Sequence, residues 1–185
     1  MQALSGALQT LSDLFWQHPA AQLIGIIALI IGGSAFVQKN DQLLRRNLTL
    51  YTLLMGLHFS LLDMWTGALS AWLGTLRTYL SMHTRNIWVM CSFLLVYWSI
   101  TLSTASHYAD FLAILGTTSG TWAMFRAKGI AMRGFMLIGT LFWLAHNLIV
   151  GSIGGSLIEA FFLGINGRTM LQMLKQGKQA AALAD

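Results

Sequence analysis

Residues 19–38 read PAAQLIGIIALIIGGSAFVQ, twenty positions from Pro19 to Gln38 without a charged side chain. About 20 mostly apolar residues, each rising 1.5 Å, are what a helix needs to cross a hydrocarbon core of roughly 30 Å. Pro19 suits the first turn of such a helix, where its missing N–H is no loss. Six further apolar runs occupy 45–64, 67–83, 87–103, 110–126, 131–150 and 155–174. They do not alternate polar with apolar as barrel strands would. The pattern predicts an all-α, polytopic membrane protein with seven transmembrane helices.

Composition agrees. The chain has 185 residues, of which 56% are hydrophobic and 9% charged, and its mean hydropathy is +0.63. A soluble domain carries about 25% charged residues, and disordered chains are richer still in polar groups. One Pro and one Cys, Cys91, exclude a collagen-like chain, a disulfide scaffold and a paired-cysteine metal or redox site. A net charge of +5 and a pI near 9.8 could suggest nucleic acid as a partner. The basic residues instead sit in short clusters between apolar runs, as topology determinants do.

Lys39, Arg45 and Arg46 mark the first connection, Arg77 and Arg85 the third, and Arg126, Lys128 and Arg133 the fifth. Arg168, Lys175 and Lys178 mark the C-terminal end. The second, fourth and sixth connections hold no Lys or Arg. All basic residues therefore fall on one side of a seven-span chain. This predicts an outer N-terminus and a cytoplasmic C-terminus. Before Pro19 there is no basic n-region or cleavage site of a signal peptide. Leu4, Leu8, Leu11 and Phe15 form one stripe with Asp13 off it, which predicts an amphipathic helix over residues 1–18 lying on the outer membrane face. A frayed terminus is the alternative.

An offset of 88 positions places Ala35 on Ala123, Arg45 on Arg133, Thr52 on Thr140, His58 on His146, Gly67 on Gly155 and Leu69 on Leu157. The expected organisation is a 3+1+3 parallel repeat. A first three-helix unit spans 19–83, a linker helix 84–106, a second unit 107–175 and a cytoplasmic tail 176–185. Parallel repeats of this kind occur in transporters, with the site between the halves.

From Leu76 onward, several stretches carry a resemblance. They are Arg77-Thr78, Thr84-Arg85-Asn86-Ile87-Trp88-Val89-Met90, Gly120-Thr121-Trp122-Ala123-Met124-Phe125 and Lys128-Gly129-Ile130-Ala131-Met132-Arg133, then His146-Asn147, Gly151-Ser152-Ile153-Gly154-Gly155, Ile158-Glu159 and Asn166-Gly167. In these the chain resembles the YgjV family of bacterial inner-membrane proteins. The resemblance implies a multi-pass protein of the bacterial inner (cytoplasmic) membrane and assigns no activity. The 3+1+3 layout is also similar, in architecture alone, to SWEET and PQ-loop transporters. Their Pro-Gln and helix-bending Pro motifs are missing here. A SWEET-like Trp and Asn cage would have Trp143 and Asn166 in one half, but Met55 and Thr78 in the other.

Polar groups at membrane depth usually face a bundle interior or a cavity. His58, Trp143, His146, Asn147, Glu159 and Asn166 are the candidates for binding a solute, and Arg77 and Arg168 for gating or contacting an anion. The structural alternatives are interhelical hydrogen bonds for the histidines and snorkelling to the headgroups for the arginines. Asp110 is expected to cap a helix, and Tyr51, Trp65, Trp88 and Trp98 to anchor at the interface. His146 and Glu159 lie at similar depth on the two arms of a tight hairpin, so a direct or water-bridged pair is expected.

No HExxH, P-loop or complete GxSxG occurs, so no enzymatic activity, catalytic residue, cofactor or metal site is expected. The expected function is a small-solute transporter or facilitator working by alternating access, with proton linkage as an option. The alternative is a non-transporting protein that binds membrane lipid or another membrane subunit.

Overall fold

The computed structural model describes residues 16–105 and 107–182. The stripe from Leu4 to Phe15 lies outside the described residues. Among those described, the chain is all-α, with seven helices: α1 Pro19–Val37, α2 Asp41–Leu61, α3 Trp65–His83, α4 Ile87–Thr104, α5 Asp110–Phe125, α6 Gly129–Ile149 and α7 Ile153–Ala182.

Local chemistry sets the boundaries. Pro19 opens α1. Asn40 caps α2, its side-chain oxygen accepting from the N–H groups of Gln42 at 2.8 Å and Leu43 at 3.1 Å. Asn86 caps α4 in the same way, accepting from Trp88 N–H at 2.8 Å. The α2–α3 turn passes through Asp63 at φ +56° and the α6–α7 turn through Gly151 at φ +75°. Left-handed backbone suits Gly; a short polar Asp tolerates it at some cost. The backbone bonds that close the turns include Met64 N–H to Phe59 O at 2.9 Å and Ser152 N–H to Asn147 O at 2.8 Å.

Two boundaries differ from expectation. α2 begins at Asp41 rather than 45, because polar 41–44 are capped by Asn40 into the same helix. α7 continues to Ala182, through most of the stretch expected to be a tail. Hydropathy marks where apolar surroundings end, whereas Lys175, Lys178 and the alanines at 180–182 are good helix formers in water. Lys39 Nζ also donates to Gln176 Oε1 at 3.1 Å and ties this extension to the α1–α2 loop.

By length and composition, two helices could cross a membrane, Pro19–Val37 and Gly129–Ile149; Ile87–Ser103 is apolar but shorter. Seven spans were expected. Of the other helices, α5 has only 16 residues, and all of them carry polar residues, among them buried Arg45, Thr78, Thr121 and Asn166. Their outward faces are apolar: Leu57, Leu69, Leu95, Leu157 and Phe161 are all exposed, a surface that suits lipid rather than water.

Consecutive helices pack as antiparallel neighbours, α1–α2–α3 and α5–α6–α7, with α4 against α5. The first three helices meet the last three where α1 lies on α7 and α3 on α5. α2 and α6 both have 21 residues and start at Asp41 and Gly129, 88 positions apart. The ends of α1 and α5 (Val37, Phe125) and the starts of α3 and α7 (Trp65, Ile153) keep the same offset. The apolar core gathers Phe36, Leu44, Met90, Phe93, Met124, Phe125, Met132 and Phe162 near the end that carries the 38–40, 84–86 and 126–128 connections. That end is called the basic end below.

Candidate functional site

One turn inside α2 and α6, Arg45 and Arg133 are 1% and 0% exposed. Arg45 Nη2 donates to Ala127 O at 3.2 Å, just past α5, and lies 3.3 Å from Met132 Sδ. Arg133 Nη1 donates to Phe36 O at 3.1 Å and to Asn166 Oδ1 at 3.3 Å, and its Nη2 donates to Gln38 O. Asn166 Nδ2 returns a bond to Arg133 O at 3.2 Å. The last carbonyls of a helix have no partner inside it and carry partial negative charge, so a guanidinium is well matched to them. Each arginine thus reaches across to the end of the first helix of the other group. Between them Asp41 Oδ2 accepts Gly129 N–H at 2.8 Å.

Arg77, on α3, points inward rather than snorkelling. Its Nη1 donates to Thr121 Oγ1 of α5 at 3.2 Å, and its guanidinium carbon sits 5.5 Å from the centre of the Tyr97 ring of α4. Thr121 can accept this bond because its own proton goes to Thr117 O at 2.7 Å. The buried Nε atoms of Arg45, Arg77 and Arg133, and Asp41 Oδ1, have no hydrogen-bond partner. Arg168 is exposed on the outside of α7, beside an open recess lined by Gly164, Leu171, Gln172 and Lys175.

At the opposite end, His58 Nδ1 lies 2.7 Å from Ala21 O and His146 Nδ1 lies 3.0 Å from Ala109 O. A carbonyl only accepts, so Nδ1 carries the proton in both rings. Both contacts span 37 positions, and both stay within their own group of helices. Trp143 packs edge-on against His146 at 5.6 Å. Glycines admit these rings: an added Cβ at Gly25 would sit 2.9 Å from His58 Nδ1, and one at Gly116 would sit 2.6 Å from Trp143 Cδ1.

Among the described residues His146 and Glu159, expected to meet directly or through one water, make no direct ion pair or hydrogen bond. The carboxylate near His146 Nδ1 is Asp110, at 3.8 Å, whereas Glu159 lies half-buried within Coulombic reach of Tyr51. The hairpin fixed their depths, but His146 turns toward the start of α5, where it meets Ala109 O. Tyr51 is accordingly no interfacial anchor; it packs edge-on against Phe162 at 5.7 Å. Trp98 donates to Thr118 Oγ1 at 3.0 Å, while Trp88 is 77% exposed. Asp110 accepts His107 N–H at 3.0 Å from within the first turn of α5, with Ala109 at the cap position.

The solute-binding candidates therefore lie in separate places. Trp143 and His146 sit between α5 and α6, and His58 between α1 and α2. Asn147 presses on Gly155 beside an open recess lined by Ser152 and Ser156. Asn166 belongs to the arginine cluster, and Glu159 to Tyr51. At the basic end stand Arg45, Arg133, Asp41 and Asn166, of which Arg133 and Asn166 are bonded to each other. Sequence reasoning used the two arginines only as topology and repeat markers. Their depth was not legible there, because the apolar runs begin at 45 and 131 and only the structure starts these helices a full turn before Arg45 and Arg133.

The match to known proteins covers this whole arrangement. Residues 19–177 fit the family model Imp-YgjV, described as a bacterial inner membrane protein. The chain belongs to that family. It is similar to inner membrane protein YgjV of Escherichia coli (strain K12), 36% identical over 159 residues that cover 86% of this chain and 87% of that protein. Its place is the bacterial inner membrane. No solved structure matches, so the likeness to SWEET and PQ-loop architecture has no matched structure behind it.

Proposed function

We propose that the chain is a multi-pass transporter or facilitator of a small solute, in which two parallel three-helix units joined by α4 alternate access across the membrane. The N-terminus is outside and the basic end cytoplasmic, by the distribution of Lys and Arg. The observation that carries this reading is the reciprocal crossing of Arg45 and Arg133 onto the ends of the opposite units' first helices. Matching helix boundaries, the two left-handed turn residues and the paired His58 and His146 contacts at one offset support a repeat. The bonds that join the units, Arg45–Ala127, Arg133–Phe36, Gly129–Asp41, Arg77–Thr121 and Lys39–Gln176, lie at the basic end. The histidine contacts at the other end stay inside each unit. Among the described residues the hydrogen bonds between the units gather at one end, an asymmetry that fits one state of an alternating-access cycle. His58, His146 and Glu159 are the groups available for proton linkage. The role is read as non-enzymatic.

The test has two stages. Untargeted metabolite comparison of deletion and overexpressing cells selects the solutes, and purified protein in liposomes should then take one up. A disulfide between Lys39→Cys and Gln176→Cys, made in a Cys91→Ser background, should stop uptake, and reduction should restore it. No uptake across the selected panel, or uptake indifferent to the closed disulfide, defeats the proposal.

A second reading rests on the recess beside Arg168 and Lys175, whose apolar floor and two cations suit an anionic lipid headgroup. Copurified anionic lipid that is lost in Arg168→Gln, with no solute moved, would favour it.

A further inference from the structure

The polar cluster at the basic end is short of negative charge. Arg45, Arg77 and Arg133 are drawn between the units, and Arg85 stands within Coulombic reach of Arg45. Asp41 is the carboxylate within Coulombic reach of Arg45 and Arg133, and one of its oxygens is already used by Gly129. Arg45 and Arg133 are fully buried and occupied by helix-end carbonyls. Arg77 differs from them. It is half-buried, at the junction of α3, α4 and α5, and among the described residues its partners are one neutral hydroxyl and one aromatic face. Among the described residues no Asp or Glu forms an ion pair with it. Two of its nitrogens, Nε and Nη2, make no hydrogen bond there.

Tyr97, the ring beside the Arg77 guanidinium, carries a second donor. The Tyr97 hydroxyl faces the bare backbone of Gly74, where even an added Cβ would stand 3.4 Å from it, and among the described residues it makes no hydrogen bond. A guanidinium presents its donors as a planar fork that fits two oxygens of one oxyanion. A cation at this depth without a counter-charge is costly, and a bound anion removes that cost.

We infer that Arg77, with the Tyr97 hydroxyl beside it, is the binding site for a small oxyanion of the phosphate, sulfate or carboxylate class. Thr121 is a positioning residue that holds the guanidinium toward the seam. The inference rests on the transport reading for its biological use, and makes the solute an anion. The site itself does not depend on flux.

The experiment measures binding of inorganic phosphate, and separately sulfate, to the purified full chain in phosphatidylcholine nanodiscs by calorimetry. Saturable binding is expected. Loss of one charge-assisted fork is worth about 1.5–3 kcal/mol, so Arg77→Gln should weaken it by roughly ten- to a hundredfold. Arg77→Lys should retain part of the affinity, and Tyr97→Phe should lose a few-fold. If Arg77→Gln fails to fold, Arg77→Lys and Tyr97→Phe decide. A parallel arm measures phosphatidylglycerol retained by each variant. Arg77-dependent binding of the free ion assigns a soluble anion; Arg77-dependent retention of phosphatidylglycerol alone assigns a lipid headgroup. No binding in either arm, or binding equal in all variants, overturns the inference. Binding without flux would defeat the transport reading and leave this site standing, and flux of an uncharged solute with no anion binding would do the reverse.

Discussion

Asp41 and Gly129 stand 88 positions apart and are bonded to each other, the Oδ2 of the first accepting the N–H of the second at 2.8 Å. Under the proposed repeat they are equivalent positions, the first residues of α2 and α6. Equivalent residues touch only where they lie on the axis relating the units. The proposed repeat would put the bond on that axis, with Arg45 and Arg133 one turn further into their helices. The pair breaks symmetry: Asp41 supplies a carboxylate, and Gly129, at φ +54°, supplies a bare N–H in a conformation few other residues adopt.

Asp41 satisfies one of the orphan N–H groups at the start of α6, as a cap supplied by another helix. Asp41→Ala should lower stability by about 1 kcal/mol, the usual loss for a cap. Asp41→Asn, which keeps an acceptor oxygen, should stay close to the parent. Melting curves of the purified variants in one detergent check this; equal losses for both would show that charge, not capping, matters there.

Arg133 serves Phe36 O, Gln38 O and Asn166 Oδ1, whereas Arg45 serves Ala127 O and a sulfur. Removing Arg133 strands more acceptors, each costing about 1–3 kcal/mol if buried without a partner. Arg133→Met should therefore destabilise more than Arg45→Met in the same melting assay. Arg133→Lys should recover little, because an ammonium cannot span three acceptors as a planar fork does.

Gly116 and Gly120 lie on one face of α5 but should respond differently to alanine. A Cβ on Gly116 would stand 2.6 Å from Trp143 Cδ1 and 3.0 Å from the backbone oxygen of Gly139, which cannot yield as a side chain can. Gly116→Ala should cost about 1–3 kcal/mol through overpacking. Gly120→Ala has nothing within 4 Å and should be neutral or slightly stabilising, since Ala favours helix. Expression yield and melting temperature of the pair would decide; equal behaviour would mean α5 and α6 are not in close contact.

Topology can be read directly. A reporter fused after Asp185, or within 39–46, should report cytoplasm, and one within 103–110 should report the outside. The reason is the segregation of Lys and Arg to alternate connections. An external C-terminal reporter would overturn the seven-span orientation.

Much about this protein was legible in its residues alone. The all-α membrane class, the number and order of helices, and most helix ends to within a few positions follow from hydropathy, capping residues and spacing. These properties are one-dimensional. Apolar length and a fixed rise per residue determine how deep each group sits along its helix. Rotation about the helix axis is a different matter, because it is settled by which neighbours pack against which face. Only the tertiary structure turned His146 toward Ala109, drew Arg77 inward while leaving Arg168 exposed, and put Tyr51 against Phe162. It also sent Arg45 and Arg133 across to helix ends 82 and 97 positions away, carbonyls that no local pattern identifies as lacking a donor.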